Sequence, residues 1–127
     1  MSQSKDLLTE TFINYTTFLN NIKLFHFQTE KYSEHKSSDT LYSELLDGFD
    51  KLMEVLQGKY GKLKPIKDLK VEIRTIADIK VYAENFIDYI VDLEVNSFGD
   101  PLDSDITAIL SEHKALVNRF IYLLKFK

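Results

Sequence analysis

Four side chains near the middle of this 127-residue chain have types and spacings that can do chemistry: His35, Asp39, Asp50 and Glu54. His35 and Asp39 are four residues apart, as are Asp50 and Glu54. Residues four apart share one face of a helix, so each pair can reach a single ion. An imidazole with carboxylates suits iron, manganese or zinc. Asp39 and Asp50, however, are eleven residues apart, which is about 16 Å along a helix axis. One chain cannot bring both pairs to one metal. Two copies of this segment packed antiparallel on a two-fold axis can, with His35 and Asp39 of one chain facing Asp50 and Glu54 of the other, and the symmetry then makes two equivalent sites. The axis would pass near Leu45 and Leu46.

The element carrying these residues reads as an amphipathic helix with a second, unusual face. With Leu46 at zero and 100° per residue, Tyr42, Leu45, Phe49, Leu52 and Leu56 lie between about −40° and −120°. Asp39, Leu46, Asp50, Met53 and Glu54 lie between about −20° and +80°, and His35 joins them if the helix reaches it. A face that mixes Leu and Met with three carboxylates predicts contact with another subunit. Gly48, which costs up to about 1 kcal/mol in a helix interior, is expected to allow a close helix approach there.

The surrounding elements follow from sparse punctuation. Gly58, Gly61, Pro65, Gly99 and Pro101 are the break signals. They divide the chain into 1–34, 35–58, a connection to about residue 76, 77–98 and 101–127. Leu8, Phe12, Tyr15, Leu19, Ile22 and His26 follow helical spacing in the first piece. Ile79, Phe86, Ile90 and Leu93 do so in the third, and Ile106, Leu110, His113, Val117, Phe120 and Leu124 in the fourth. Ser37 or Ser38 is the expected cap of the second helix, and Asp103 and Asp105 suit the start of the fourth. The predicted architecture is all-α: one domain over residues 1–127, a four-helix bundle of two helical hairpins joined by a long crossover, the ferritin-like wiring, with a plain up-down-up-down bundle as the alternative. The crossover's cations, Lys59, Lys62, Lys64, Lys67, Lys70 and Arg74, read as a solvated loop. His113 reads as a core histidine with a hydrogen-bond partner.

The pattern His35-x3-Asp39-x10-Asp50-x3-Glu54, preceded by His26, resembles the Dps family of small ferritin-like proteins. It also resembles short ferritin-like proteins of large DNA viruses and phages. The resemblance runs from about Leu19 to Gly58. It implies an intersubunit ferroxidase site, with His26, His35 and Asp39 as one half and Asp50 and Glu54 as the other. It implies oxidation of Fe(II), or binding of another divalent metal, with iron storage and a twelve-subunit cage built on the dimer. His26 precedes His35 by fewer residues than is usual in that family.

Composition narrows the alternatives. The absence of cysteine removes disulfides, cysteine zinc sites and a cysteine nucleophile. A net charge of −4 and an N-terminal tail whose only lysine is Lys5 predict no DNA binding. No apolar run is long enough for a membrane span. The first ten residues lack the apolar core of a signal peptide, predicting a cytoplasmic protein, in the host cytoplasm or virion if viral. The competing expectation is a non-catalytic helical interaction protein, or a viral structural or accessory component, in which these carboxylates make polar interface contacts.

Overall fold

The structure, a computed structural model, describes the backbone of residues 2–126 and the side chains of residues 7–126, so Lys5 lies outside the described side chains. It is all-helical among the described residues. The four α-helices are α1 (Ser2–Gln28), α2 (Tyr32–Tyr60), α3 (Ile79–Asp92) and α4 (Ser104–Leu123). A π-helical stretch, Leu93–Ser97, continues α3, and a 3-10 turn, Pro101–Asp103, precedes α4.

Side-chain pairings fix the arrangement. Tyr15 of α1 stacks on Phe49 of α2, and His26 near the end of α1 meets Ser38 near the start of α2, so these helices are antiparallel neighbours. Lys59 reaches Asp103 and Asp105, while Glu44 faces Arg119, so α2 and α4 are also antiparallel. Phe18 of α1 stacks on Phe86 and Tyr82 of α3. Residues 61–78 connect α2 to α3 without helix, and because α3 packs antiparallel to α4 they must traverse the length of the bundle. The core is one cluster to which every helix contributes a stripe, including Leu19, Ile22, Leu45, Leu52, Ile90, Leu110 and Val117. Each stripe repeats at helical spacing because that spacing places one face inward.

Several local expectations are corrected. The first hairpin turns at residues 29–31, so α2 starts earlier than Ser37. Its N-cap is Lys31, without a side-chain cap. Ser37 and Ser38 are buried inside the helix, and their hydroxyls donate back to the carbonyls of Glu34 and His35. Gly58 does not break α2. Helix continues to Tyr60 and stops at Gly61, whose φ of 102° only glycine adopts readily. Met53 is buried with the core stripe rather than on the outer face. Asp103 is buried as well, paired with Lys59 and accepting from the Tyr60 hydroxyl, where it ties the end of α2 to the start of α4.

Gly48 is also reassigned. A methyl group there would sit 2.6 Å from Nε2 of His113. The glycine makes room for an imidazole inside the bundle, not for a neighbouring subunit. The crossover is pinned at one place. The Asn21 amide of α1 donates to the Glu72 carbonyl at 2.9 Å and accepts from the Arg74 backbone N–H at 2.8 Å. Before that pin it is largely exposed, and after it Ile76 is buried.

Candidate metal centre

α2 reaches His35, and its outward face carries His35, Asp39, Asp50 and Glu54, all exposed, with Leu46 38% exposed between them. Asp39, Asp50 and Glu54 make no hydrogen bond or ion pair among the described residues. The two pairs stay apart within one chain. Among the described residues no three His, Asp or Glu side chains gather where they could hold a metal ion.

His26 and His35 do come together. The tight hairpin brings their rings face to face, with centroids 3.9 Å apart and planes 23° apart. Each imidazole is held by the other residue's backbone. Nδ1 of His26 donates to the His35 carbonyl at 2.7 Å, and Nδ1 of His35 donates to the His26 carbonyl at 3.0 Å. A carbonyl can only accept, so Nδ1 carries the proton in both rings. In the neutral tautomer this leaves Nε2 with its lone pair. Fixing one nitrogen on a backbone carbonyl is how proteins orient imidazoles that bind metals through the other. The shortened interval between the two histidines is what allows this reciprocal pairing across the turn. Ser38 also lies 3.3 Å from Nδ1 of His26 and adds a buried polar contact.

His113 has the opposite surroundings. It is buried, and its Nδ1 is 2.7 Å from the Tyr15 hydroxyl. Its Nε2 is enclosed against Gly48 without a hydrogen-bond partner. Burial pushes its pKa down to about 4, with the Gly48 backbone opposing that shift. Burial likewise raises Tyr15 well above the usual phenol range. Around this pair the interior is filled by rings: Tyr15 packs edge-on to Phe86 at 5.1 Å and stacks on Phe49 at 5.1 Å. A metal inside the bundle at this level would find aromatic carbon rather than carboxylate.

Sequence reasoning missed the Tyr15–His113 pair, the Asn21 clamp and the Lys59 latch. A weak signal existed for the first two. Tyr15 and His113 fall on apolar stripes where a polar atom needs a partner, and Asn21 adjoins core residues Phe18 and Ile22 on α1. Nothing local pairs them, because their partners lie 98 and 51 residues away.

Fold and site together define an all-α bundle protein with two imidazoles locked in one tautomer at a hairpin end and free carboxylates along the adjoining helix face. The chain belongs to a family of unknown function (DUF5856), whose model matches residues 26–124. The matched span contains His26, His35, Asp39, Asp50 and Glu54. No curated protein and no solved structure matches the chain. No helix among the described residues is long and apolar enough to cross a membrane.

Proposed function

We propose that this is a ferritin-like protein of the Dps type, which binds Fe(II) as substrate at a site shared between two subunits and passes its electrons to peroxide or oxygen. His26, His35 and Asp39 hold the metal from one chain, and Asp50 and Glu54 from its partner. The observation that carries this reading is the reciprocal Nδ1–carbonyl lock of His26 and His35. It orients two imidazoles at the end of the bundle, with Asp39 one helical turn beyond His35, and among the described residues no further ligand of the same chain gathers with them. The wiring supports it: two antiparallel hairpins, an end-to-end crossover, and α2 with an outward face unpaired by its own chain. Iron storage in a twelve-subunit cage, cytoplasmic location and absence of DNA binding are part of the same proposal.

Complementation tests it. One variant lacks His35 and Asp39, and a second lacks Asp50 and Glu54. Each alone should fail to oxidise Fe(II), because every site lacks half its ligands. After subunit exchange half the dimers are mixed and each holds one complete site, so about a quarter of the activity should return. No recovery despite proven exchange sinks the shared site. A stable monomer in sedimentation at micromolar concentration does the same.

A non-catalytic interaction protein is the second reading. Phe27 and Tyr32, 71% and 70% exposed at the hairpin end, favour it because large exposed rings mark contact surfaces. Metal content of the purified protein separates the two readings.

A further inference from the structure

A cleft of about 240 Å³ lies between α1, α3 and the pinned part of the crossover, on a different side of the bundle from the outward face of α2. Its apolar wall is made by Phe18, Tyr82 and Phe86, which stack on one another with centroids 5.5 and 3.9 Å apart. Its rim carries Glu72 and Arg74 from the crossover. These are opposite charges two residues apart, yet they do not pair with each other, and neither has an ion pair among the described residues. The guanidinium instead lies over the Tyr82 ring, 6.0 Å from its centroid. Tyr89 lines the cleft as well, with its hydroxyl against Thr11 and Asn14.

The cleft is smaller than sites for drug-sized ligands, so its occupant must be small. It offers one anion, one cation and an aromatic wall. We propose that it binds a free α-amino acid with an apolar side chain. The ammonium group pairs with Glu72, the carboxylate with Arg74, and the side chain packs against Phe18, Tyr82 and Phe86. The Asn21 clamp grips the crossover backbone at residues 72 and 74, which holds the two charged positions at fixed separation. Ordering paid for during folding is not paid again on binding.

The probe is L-phenylalanine, titrated into the full-length protein and followed by amide chemical shifts. 3-Phenylpropionate, which lacks the ammonium, and phenethylamine, which lacks the carboxylate, serve as single-charge comparisons. L-Phenylalanine should bind at millimolar concentration or tighter, shifting residues of α1 and α3 around the cleft, and each analogue should bind at least fivefold more weakly. Glu72→Gln and Arg74→Gln should each weaken L-phenylalanine at least fivefold. Both side chains are exposed and the clamp uses only backbone atoms, so the fold should survive, and circular dichroism checks it. Absence of shifts at 10 mM, equal affinity for either analogue, or full affinity in either variant overturns the proposal. None of these results depends on whether the protein binds metal.

Discussion

His113 and His26 both sit on apolar stripes and both are buried, yet they are chemically different residues. At the centre of the bundle, His113 spends Nδ1 on Tyr15, packs edge-on to that ring, and presses Nε2 against Gly48. At the hairpin end, His26 and His35 spend Nδ1 on each other's carbonyls and leave Nε2 unbonded. The difference lies in which nitrogen remains and whether anything can reach it. A histidine on a core stripe is a structural residue when the bundle closes both edges, and a candidate ligand when the backbone closes only one.

The sharpest test of this contrast is acid. His113 is neutral in the fold, with its pKa lowered to about 4 from an ordinary value near 6.5. Between these values the unfolded chain holds a proton that the folded one does not, so stability rises with pH across that window. Falling from pH 6.5 to 4 should cost on the order of 3 kcal/mol, with no further loss from this group below pH 4. Urea denaturation at pH 7 and 4.5 should show the drop, and a His113→Gln variant should show a smaller one. Equal drops would mean that His113 is not held neutral.

Filling the space beside His113 should come next. Gly48→Ala places a methyl 2.6 Å from Nε2, and overpacking should destabilise by about 2 kcal/mol. With His113→Ala already present the same change should become stabilising by up to about 1 kcal/mol, because alanine is the better helix former. The sign reversal in thermal or urea unfolding is the observation to seek. Removing the partner hydroxyl, Tyr15→Phe, leaves Nδ1 buried without a bond and should cost about 1–2 kcal/mol.

The hairpin end should respond in the opposite sense. His35→Ala removes an exposed ring and should change stability by about 0.5 kcal/mol or less. Asp50→Asn with Glu54→Gln should leave the melting temperature unchanged or raise it, since close uncompensated carboxylates repel. Under the proposed function both changes abolish iron binding, measured by isothermal titration. A loss of stability at His35 as large as that at Gly48 would erase the contrast.

Much of the fold was legible in the sequence, because helical stripes and scarce glycine and proline are local signals. The four helices and the long connection follow from them. What failed was the sense of particular residues. Gly48 looked like a site of subunit approach because its real neighbour, His113, lies 65 residues further on. Met53 occupied the boundary between two faces, and only packing decided that it turns inward. The caps at Ser37 and Ser38 were misplaced because the hairpin turn needs three residues and no glycine. Of the candidate site, the spacing of His35, Asp39, Asp50 and Glu54 along one face was readable from helix geometry alone. The imidazole lock was not, since it uses backbone carbonyls, which every residue has.

The Asn21 clamp divides the crossover into two lengths with different freedom. Residues 61–71 run along the bundle from the end of α2 to the pin, and residues 75–78 lead directly into α3, with Ile76 buried and Asp78 capping the helix at Val81. Closing a longer arc is entropically mild, about 0.6 kcal/mol for each doubling of its length. The stretch before the pin is therefore where extra residues, a tag or a whole domain can be inserted with the bundle intact. A single residue inserted after Arg74 would instead move Ile76 out of its socket and Asp78 off the helix it starts. One buried amide thus separates a stretch of chain open to invention from a stretch held to a fixed count.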